Sequence, residues 1–549
     1  MTKTSLFMGL ALLCSSLSFG QYHEPKKIDF EISEPYKVVD AQSKSYFQLD
    51  DQVFSIKIDK KTAIIQRFDV KTMKETNRIE LEMPKSYSLE TIKKIGDEYY
   101  VFYSIYDKGR KSEQLFCRAV DFEAGKYNGS EKLLVTTRGK IAGASMGTQH
   151  LAGGMFSVMS FGVTDKFDFY QSADKSKLLV QYRMVPTVKN DSKSFDKIGL
   201  HVFDTDLKEI WGEVQRMPYT EKKMNIIDYA IDNDANAYIM STVFDDNSTR
   251  TTKKGSKDEP NYHIEMLKRT TAGKRLEQST PSLDDKFISS VWLYETSDDK
   301  MVIAGFYNNT DSRGDAEGIF YAKLKKDGTT YDQQTHAIPL EVLNQYESKR
   351  TRKKNTKKED KGESEFYKLK LRKLQFMEDG SIVMIGEQNY VVQHTTTNSR
   401  GGSSTYYTYH YNDMLVSKID PTGNLAWMTK LPKSQVGRAG LGSMSFRHHY
   451  DAGYHYLLFI DNEKNMDLPF DEAPDTYSDG RDGNLTAYLV DDSNGEMQKE
   501  TILDMRDAKG VRLYQFQPSK ILKISETEFI FEAYKKQKED VMVKISLKD

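Results

Sequence analysis

Cysteine is almost missing from this sequence, with two residues in 549. Cys14 lies in an N-terminal segment with the form of an export signal, so the mature chain would keep Cys117 alone and could form no internal disulfide. Stability must then come from core area and from closure of the fold. Proline is also scarce, 13 residues against 33 Tyr and 27 Phe. That balance excludes a proline-rich disordered chain and favours strands with half-buried aromatic faces. Net charge is lacking as well: 79 Lys+Arg against 81 Asp+Glu gives -2, without the concentrated basic excess of nucleic-acid binders. No later apolar run approaches the ~20 residues of a membrane helix.

The sequence contains no Walker A loop, CxxC pair or HExxH motif, and no Rossmann fingerprint in a βαβ setting. With 81 acidic residues a glycosidase pair cannot be singled out. The sequence therefore leans away from an enzyme and names no catalytic residue. Cys117, in the strand-like run 115–120, reads as a buried inert thiol.

At the N-terminus, Lys3 precedes the apolar run 6–13 (LFMGLALL), and Ser18-Phe19-Gly20 offers small residues for cleavage before Gln21. Residues 1–20 are expected to be a signal peptide. Lipidation at Cys14 is the alternative, and the preceding Leu13 fits it poorly.

Two segment types alternate along the rest of the chain. One is a polar turn running into a β-branched and aromatic stretch, as at 49–56 (LDDQVFSI) and 96–103 (GDEYYVFY), with further copies starting at Lys175, Asn233, Asp298, Glu378, Asp451 and Ser525. Each follows another apolar run, the pattern of an antiparallel hairpin. The second type is a strand, a polar turn and a further strand, with copies starting at Ala63, Leu115, Leu200, His263, Ile319, Met414, Leu485 and Val541. In the clearest copy Pro421 presets a turn and Gly423 supplies the positive φ that reverses the chain.

Hairpin after hairpin, about eight times over, predicts an all-β protein of four-stranded units, the pattern of β-propeller blades. Seven blades result if the weak first and last copies merge. Residues 416–427 (VSKIDPTGNLAW) resemble the blade repeats of bacterial secreted β-propeller proteins, and residues 200–211 do so in part. The last copy stops after three strands, and residues 28–39 (IDFEISEPYKVV) offer a spare strand near the mature N-terminus. Pairing the two is expected to close the ring and bury its edges, so that residues 21–549 form a single propeller domain.

Long insertions fall near 138–166, 186–197, 245–261, 341–365, 388–412 and 461–483. With strands a to d named in chain order, all lie in b–c or d–a connections, which simple up-down alternation places on one face. Repeat scaffolds concentrate insertions on the binding face. Within that face, residues 395–411 (TTTNSRGGSSTYYTYHY) bring Tyr406, Tyr407 and Tyr409 near His410. They read either as a binding loop, since Tyr suits protein or carbohydrate contacts, or as a strand extending from the blade. The basic run 349–361, with Lys353 and Lys354, reads as a solvated loop or as a contact for an anionic surface. The Gly- and Met-rich stretch 139–162 reads as a plug of the channel.

Metal signals are weak. Asp475, Asp479 and Asp482 with neighbouring glycines offer calcium-type oxygens, but not in EF-hand spacing. His448 and His449 alternate across a strand and so would not chelate together. The sequence thus points to an exported, periplasmic or outer-membrane-associated binding or scaffold propeller, with a protein or carbohydrate partner at the cell envelope. A glycan-active hydrolase or lyase and a structural subunit of an envelope machine are the alternatives.

Overall fold

The computed structural model describes residues 27–548 apart from 42, 60, 144–164, 189, 191, 257–258, 282–285, 297–299, 311–313, 362, 398–401 and 439–440. Residues 1–20 with Cys14, and most of the expected plug, lie outside the described residues. The described chain forms eight antiparallel sheets in sequence order, six of four strands, one of five and one of six. This is an eight-bladed β-propeller. Blade 1 runs from strand Ser43–Leu49 to Glu75–Glu82, blade 2 from Tyr87–Ile95 to Lys126–Arg138, blade 3 from Asp168–Gln171 to Glu209–Thr220 and blade 4 from Met224–Ile231 to Glu277–Ser279. Blade 5 runs from Phe287–Glu295 to Thr330–Ala337, blade 6 from Leu369–Phe376 to Leu425–Leu431, blade 7 from Phe446–Asp451 to Met497–Asp504, and blade 8 starts at Leu522–Lys523.

The first strands of successive blades approach one another: Met224–Ile231 meets Phe287–Glu295, which meets Leu369–Phe376. Strand a is therefore the innermost of each blade and lines the central channel. Strand b is covered on both faces by neighbouring blades, so it needs apolar residues on both. Met301–Asn308 and Tyr454–Asp461 are buried along their whole length. The core is accordingly a series of inter-blade seams, such as Tyr238 and Met240 of blade 4 against Val291 and Ile303 of blade 5.

Blade 8 takes strands from both ends of the chain. Lys27–Ile32 pairs antiparallel with Glu539–Lys548, matching Ile28 with Leu547 and Ile32 with Val543. Blade 8 also packs on blade 1, with Ile524, Ile530 and Met542 against Val53, Phe68 and Met73. At this seam Lys57 lies against Glu532, both essentially buried. The hydroxyls of Tyr36 and Tyr46 donate to the same carboxylate at 2.7 and 2.9 Å.

Five of the c–d turns share one device. Asp420 accepts from the backbone N–H groups of Thr422 and Asn424 at 2.8 and 2.9 Å, and Gly423 takes φ +97°. Asp69, Asp121, Asp204 and Asp491 cap the matching turns of blades 1, 2, 3 and 7. The two tryptophans of the repeat-like segments fasten blade to blade. Trp211 donates its indole N–H to the Ala235 carbonyl at 2.8 Å, and Trp427 donates to that of Asp492 at 2.9 Å. The Trp427 ring lies against Gly495, where an added Cβ would sit 2.7 Å from it. Trp427→Phe is expected to cost about 1 kcal/mol through the lost hydrogen bond and Trp427→Ala about 3–5 kcal/mol, both read from denaturant midpoints.

Two expectations change. The basic run 349–361 is not a loop: Lys349–Glu359 is an α-helix whose N-cap Ser348 accepts from the Thr351 N–H. Its lysines and arginines are good helix formers, and Lys357 and Lys358 complement the dipole in its last turn. A further d–a insertion, residues 505–521, escaped the sequence reading. Met505, Leu513 and Phe516 are buried in the seam between blades 7 and 8.

A built-out surface over blades 6 and 7

The insertion at 388–412 is a hairpin, not a loop. Strands Ile382–Thr397 and Ser403–Ile419 carry blade 6 well beyond its neighbours. Where they leave the blade the register shifts, Glu387 facing Met414 but Asn389 facing Tyr411. The extra residues of this bulge, Asn412 and Asp413, fasten the hairpin. Asn412 accepts from the Gln435 N–H at 3.1 Å and donates to the Tyr390 hydroxyl at 3.2 Å. Asp413 accepts from the Lys433 N–H at 3.0 Å.

Beneath the bulge lies a buried charge network. Lys433 is fully enclosed and donates to Glu387 at 2.9 Å, the Tyr411 carbonyl at 2.7 Å and Gln435 at 3.0 Å. Glu387 also accepts from Arg372 at 3.1 Å and Ser445 at 2.9 Å. Burial pulls the Lys433 ammonium below its usual range while Glu387 opposes that shift. Every proton of the ammonium has an acceptor, so the network is satisfied and rigid. Two short strands widen the platform: Gln435–Gly437 pairs with Tyr409 and His410, and Tyr477–Ser478, from the long b–c connection of blade 7, pairs parallel with it.

The strand period divides the four aromatic residues of the sequence reading. Tyr406 and His410 lie on one face, Tyr407 and Tyr409 on the other. The first face is an aromatic ladder: Tyr390 stacks on His410 at 4.7 Å and His394 on Tyr406 at 4.8 Å, with Arg438 over the Tyr406 ring. Thr408 links the two imidazoles, 2.8 Å from His394 and 3.0 Å from His410. Burial, and then the neighbouring His394, lower the His410 pKa. The second face presents Val391, 52% exposed, beside Tyr407, 37% exposed. Tyr367 and Met466, on adjoining segments, are also exposed. Lys353 and Lys354 sit on the exposed side of their helix in the separate 341–365 insertion, and among the described residues no hydrogen bond or ring contact joins them to the tyrosines.

Of the acidic trio, Asp479 and Asp482 hold neighbouring segments through their carboxylates, while Asp475 is exposed. Asp479 accepts from the Ser443 N–H at 3.0 Å, Asp482 pairs with Arg512 at 2.5 Å, and Asp475 meets Asn465 through its backbone. Among the described residues no group of three or more His, Cys, Asp or Glu side chains gathers as a metal site. His448 and His449 do point apart. His448 instead meets His455 at 3.0 Å, and His455 meets Asp492 at 3.0 Å. Cys117 is buried, its thiol pushed up to about 12 by desolvation. One motif escaped the sequence reading: residues 143–147 (GASMG) carry the G-x-S-x-G spacing, and four of the five lie outside the described residues.

The fold thus defines an eight-bladed propeller with one surface built out over blades 6 and 7. No family model matches the chain, and no curated protein matches it. Among solved structures it is similar to the β-propeller domain of the Trilobed protease from Pyrococcus furiosus, at 10% identity and a TM-score of 0.34 over 89% of this chain and 100% of that one. It is similar to the WD40 domain of SCAP from fission yeast at 8% identity and a TM-score of 0.33, over 95% and 94%. A Pyrococcus horikoshii acylaminoacyl peptidase aligns at 10% identity and a TM-score of 0.33, with 92% of this chain spanning 58% of the peptidase.

Proposed function

We propose that this chain is an exported binding and scaffold propeller of the bacterial cell envelope, which holds a partner protein against the built-out surface of blades 6 and 7. The carrying observation is the projecting hairpin, fixed at its base by the Lys433–Glu387 network and presenting Val391 and Tyr407 to solvent. Exposed apolar side chains on a rigid, hydrogen-bonded platform are suited to protein association, because little ordering entropy remains to be lost on binding. Beyond Tyr409, strand Ser403–Ile419 has a free backbone edge among the described residues, which an extended partner segment could extend.

The test is quantitative cross-linking in cells to a partner identified by mass spectrometry. Val391→Asp with Tyr407→Ala is expected to cut its cross-linked yield at least tenfold, while Lys353→Gln with Lys354→Gln leaves it unchanged. Equal yields from wild type and the hairpin variant would overturn the reading.

One observation favours the alternative of a glycan-active enzyme. Asp168, at the start of an inner strand, is raised to about 7 by burial and by Asp165, the protonation a general acid needs. Reproducible cleavage of any member of a polysaccharide panel, abolished by Asp168→Asn, would replace the binding reading with this one.

A further inference from the structure

Strand Ser403–Ile419 of the projecting hairpin is paired along one edge with Ile382–Thr397, and from residue 403 to 408 its other edge is open among the described residues. Three contacts fix which backbone groups face which way. The carbonyls of Ser404 and His410 face Ile382–Thr397, accepting from the Thr396 hydroxyl at 3.3 Å and the Asn389 amide at 3.1 Å. The Tyr411 carbonyl points the opposite way and accepts from Lys433 at 2.7 Å. Between these points the register runs without a shift, from Tyr411 facing Asn389 to Ser403 facing Thr397. Backbone groups of successive strand residues alternate sides. Thr405 and Tyr407 therefore turn both N–H and C=O to the open edge, whereas Tyr409 is already paired with Gly437.

Open edges are normally blunted by lysine, proline, a bulge or a covering loop, because they pair readily with other strands. Residues 403–410 (SSTYYTYH) contain no Lys, Arg, Asp, Glu, Pro or Gly, and five of the eight are Thr or Tyr, which favour strands. With no charge on the segment, an identical strand laid beside it meets no like-charge repulsion.

The open stretch is complementary to itself. A two-fold axis through Tyr406 sets Thr405 of one copy opposite Tyr407 of the other, and the reverse. Each such pair exchanges two hydrogen bonds, so every outward group of the two residues is satisfied. The facing side chains also match. Tyr406 meets its own copy, and Tyr407, exposed in the single chain, meets the β-branched Thr405. The arrangement uses the same edge in both copies, so it closes as a dimer and leaves no edge to propagate.

We infer that the partner seated on this hairpin is a second copy of the chain, joined edge to edge through residues 403–408 in antiparallel register about Tyr406. The inference rests on the hairpin being the contact surface proposed above, and names its occupant. One short edge is small beside a standard protein interface, so the dimer is weak and reversible.

Sedimentation velocity of the purified protein, over a micromolar to hundred-micromolar series, should show a monomer–dimer equilibrium that sodium chloride leaves unchanged, since no charge takes part. Thr405→Pro removes an outward N–H without touching the ladder to Ile382–Thr397, and is expected to weaken dimerisation at least tenfold. Lys353→Gln with Lys354→Gln should leave it within twofold. Disulfide trapping reads the register, and the buried Cys117 gives it no background. Residues on the axis have Cα atoms ~4.5–5.5 Å apart, within disulfide reach. Tyr406→Cys should therefore be trapped as a dimer by mild oxidant at least ten times faster than Gln393→Cys on the neighbouring strand. Trapping does not depend on the proline variant folding. A protein that stays monomeric throughout the series, dimerisation untouched by Thr405→Pro, or equal trapping at 406 and 393 would each overturn the inference. If the purified protein is monomeric while the hairpin variant still loses its cross-linked partner in cells, the binding surface stands and the second copy is excluded as its occupant.

Discussion

Lys433→Ala is expected to lower the stability of the ring by about 3–5 kcal/mol, the cost of leaving a buried charge without its partner. Glu387 is as enclosed as Lys433 and would keep only Arg372 and Ser445 of its donors. The Gln435 amide oxygen and Tyr411 carbonyl lose a donor at the same time. The damage should be local before it is global: hydrogen exchange of residues 403–411 should quicken, because the hairpin leaves the blade at this point. Denaturant midpoints give the global figure. Lys433→Met combined with Glu387→Leu should restore part of the lost stability, since neither buried charge remains and only the partly exposed Arg372 loses its partner. If the single variant matches wild type in both midpoint and exchange, the network does not hold the hairpin.

The second large effect is expected at the seam of blades 1 and 8. Lys57→Met should also cost about 3–5 kcal/mol, because Glu532 would keep two tyrosine donors and the half-exposed Lys44 but lose its buried cation. The seam has a definite pH dependence. Burial alone would raise Glu532, but Lys57 and Lys44 outweigh it and hold the carboxyl below its ordinary 4.5. A lowered carboxylate stabilises the fold above its unfolded pKa, so this contribution is lost as pH falls below 4.5. Asp540 behaves oppositely. Burial first, then Glu532, raise it above its ordinary 3.8, and its Oδ2 atom has no hydrogen-bond partner. The folded state therefore prefers Asp540 protonated, and stability declines as pH climbs above 3.8 until the carboxyl ionises in both states. Asp540→Asn should remove that decline, leaving the protein more stable than wild type at pH 8 by roughly 1–3 kcal/mol. A denaturation series from pH 4 to 8 checks both halves. Equal slopes for wild type and the asparagine variant would exclude the assignment.

Blade architecture was legible because it rests on local signals. Each b strand must be apolar on both faces, and each reverses through a turn rich in Asp, Gly or Asn, so eight hairpins stand out without any long-range knowledge. The helix at 349–359 was not legible from patterning, since a fully solvated helix has no apolar stripe. Its usable signal was Ser348 ahead of straight-chain lysines and arginines. The hairpin tyrosines were found as a group but not as two faces, although period-two alternation applied to 406–410 separates them once the segment is read as strand. The Lys433–Glu387 pair was beyond reach. Its partners are 46 residues apart, and only the bulge at Asn412 and Asp413 brings them together.

The sheet shared by the two termini has a consequence for how the molecule is made. Lys548 reaches Asp29 across 519 residues of sequence, so the eighth blade is completed only when strand Glu539–Lys548 meets strand Lys27–Ile32. Joining ends that far apart carries a chain-entropy penalty of roughly 5–6 kcal/mol in the logarithmic loop-length relation. It falls steeply once the intervening blades have stacked and carried the ends towards each other. Assembly should therefore be sequential, with the joining of the termini as its latest step. Until then Lys27–Ile32 and Glu539–Lys548 are two unpaired edges, and a chaperone met during folding would find its substrate there.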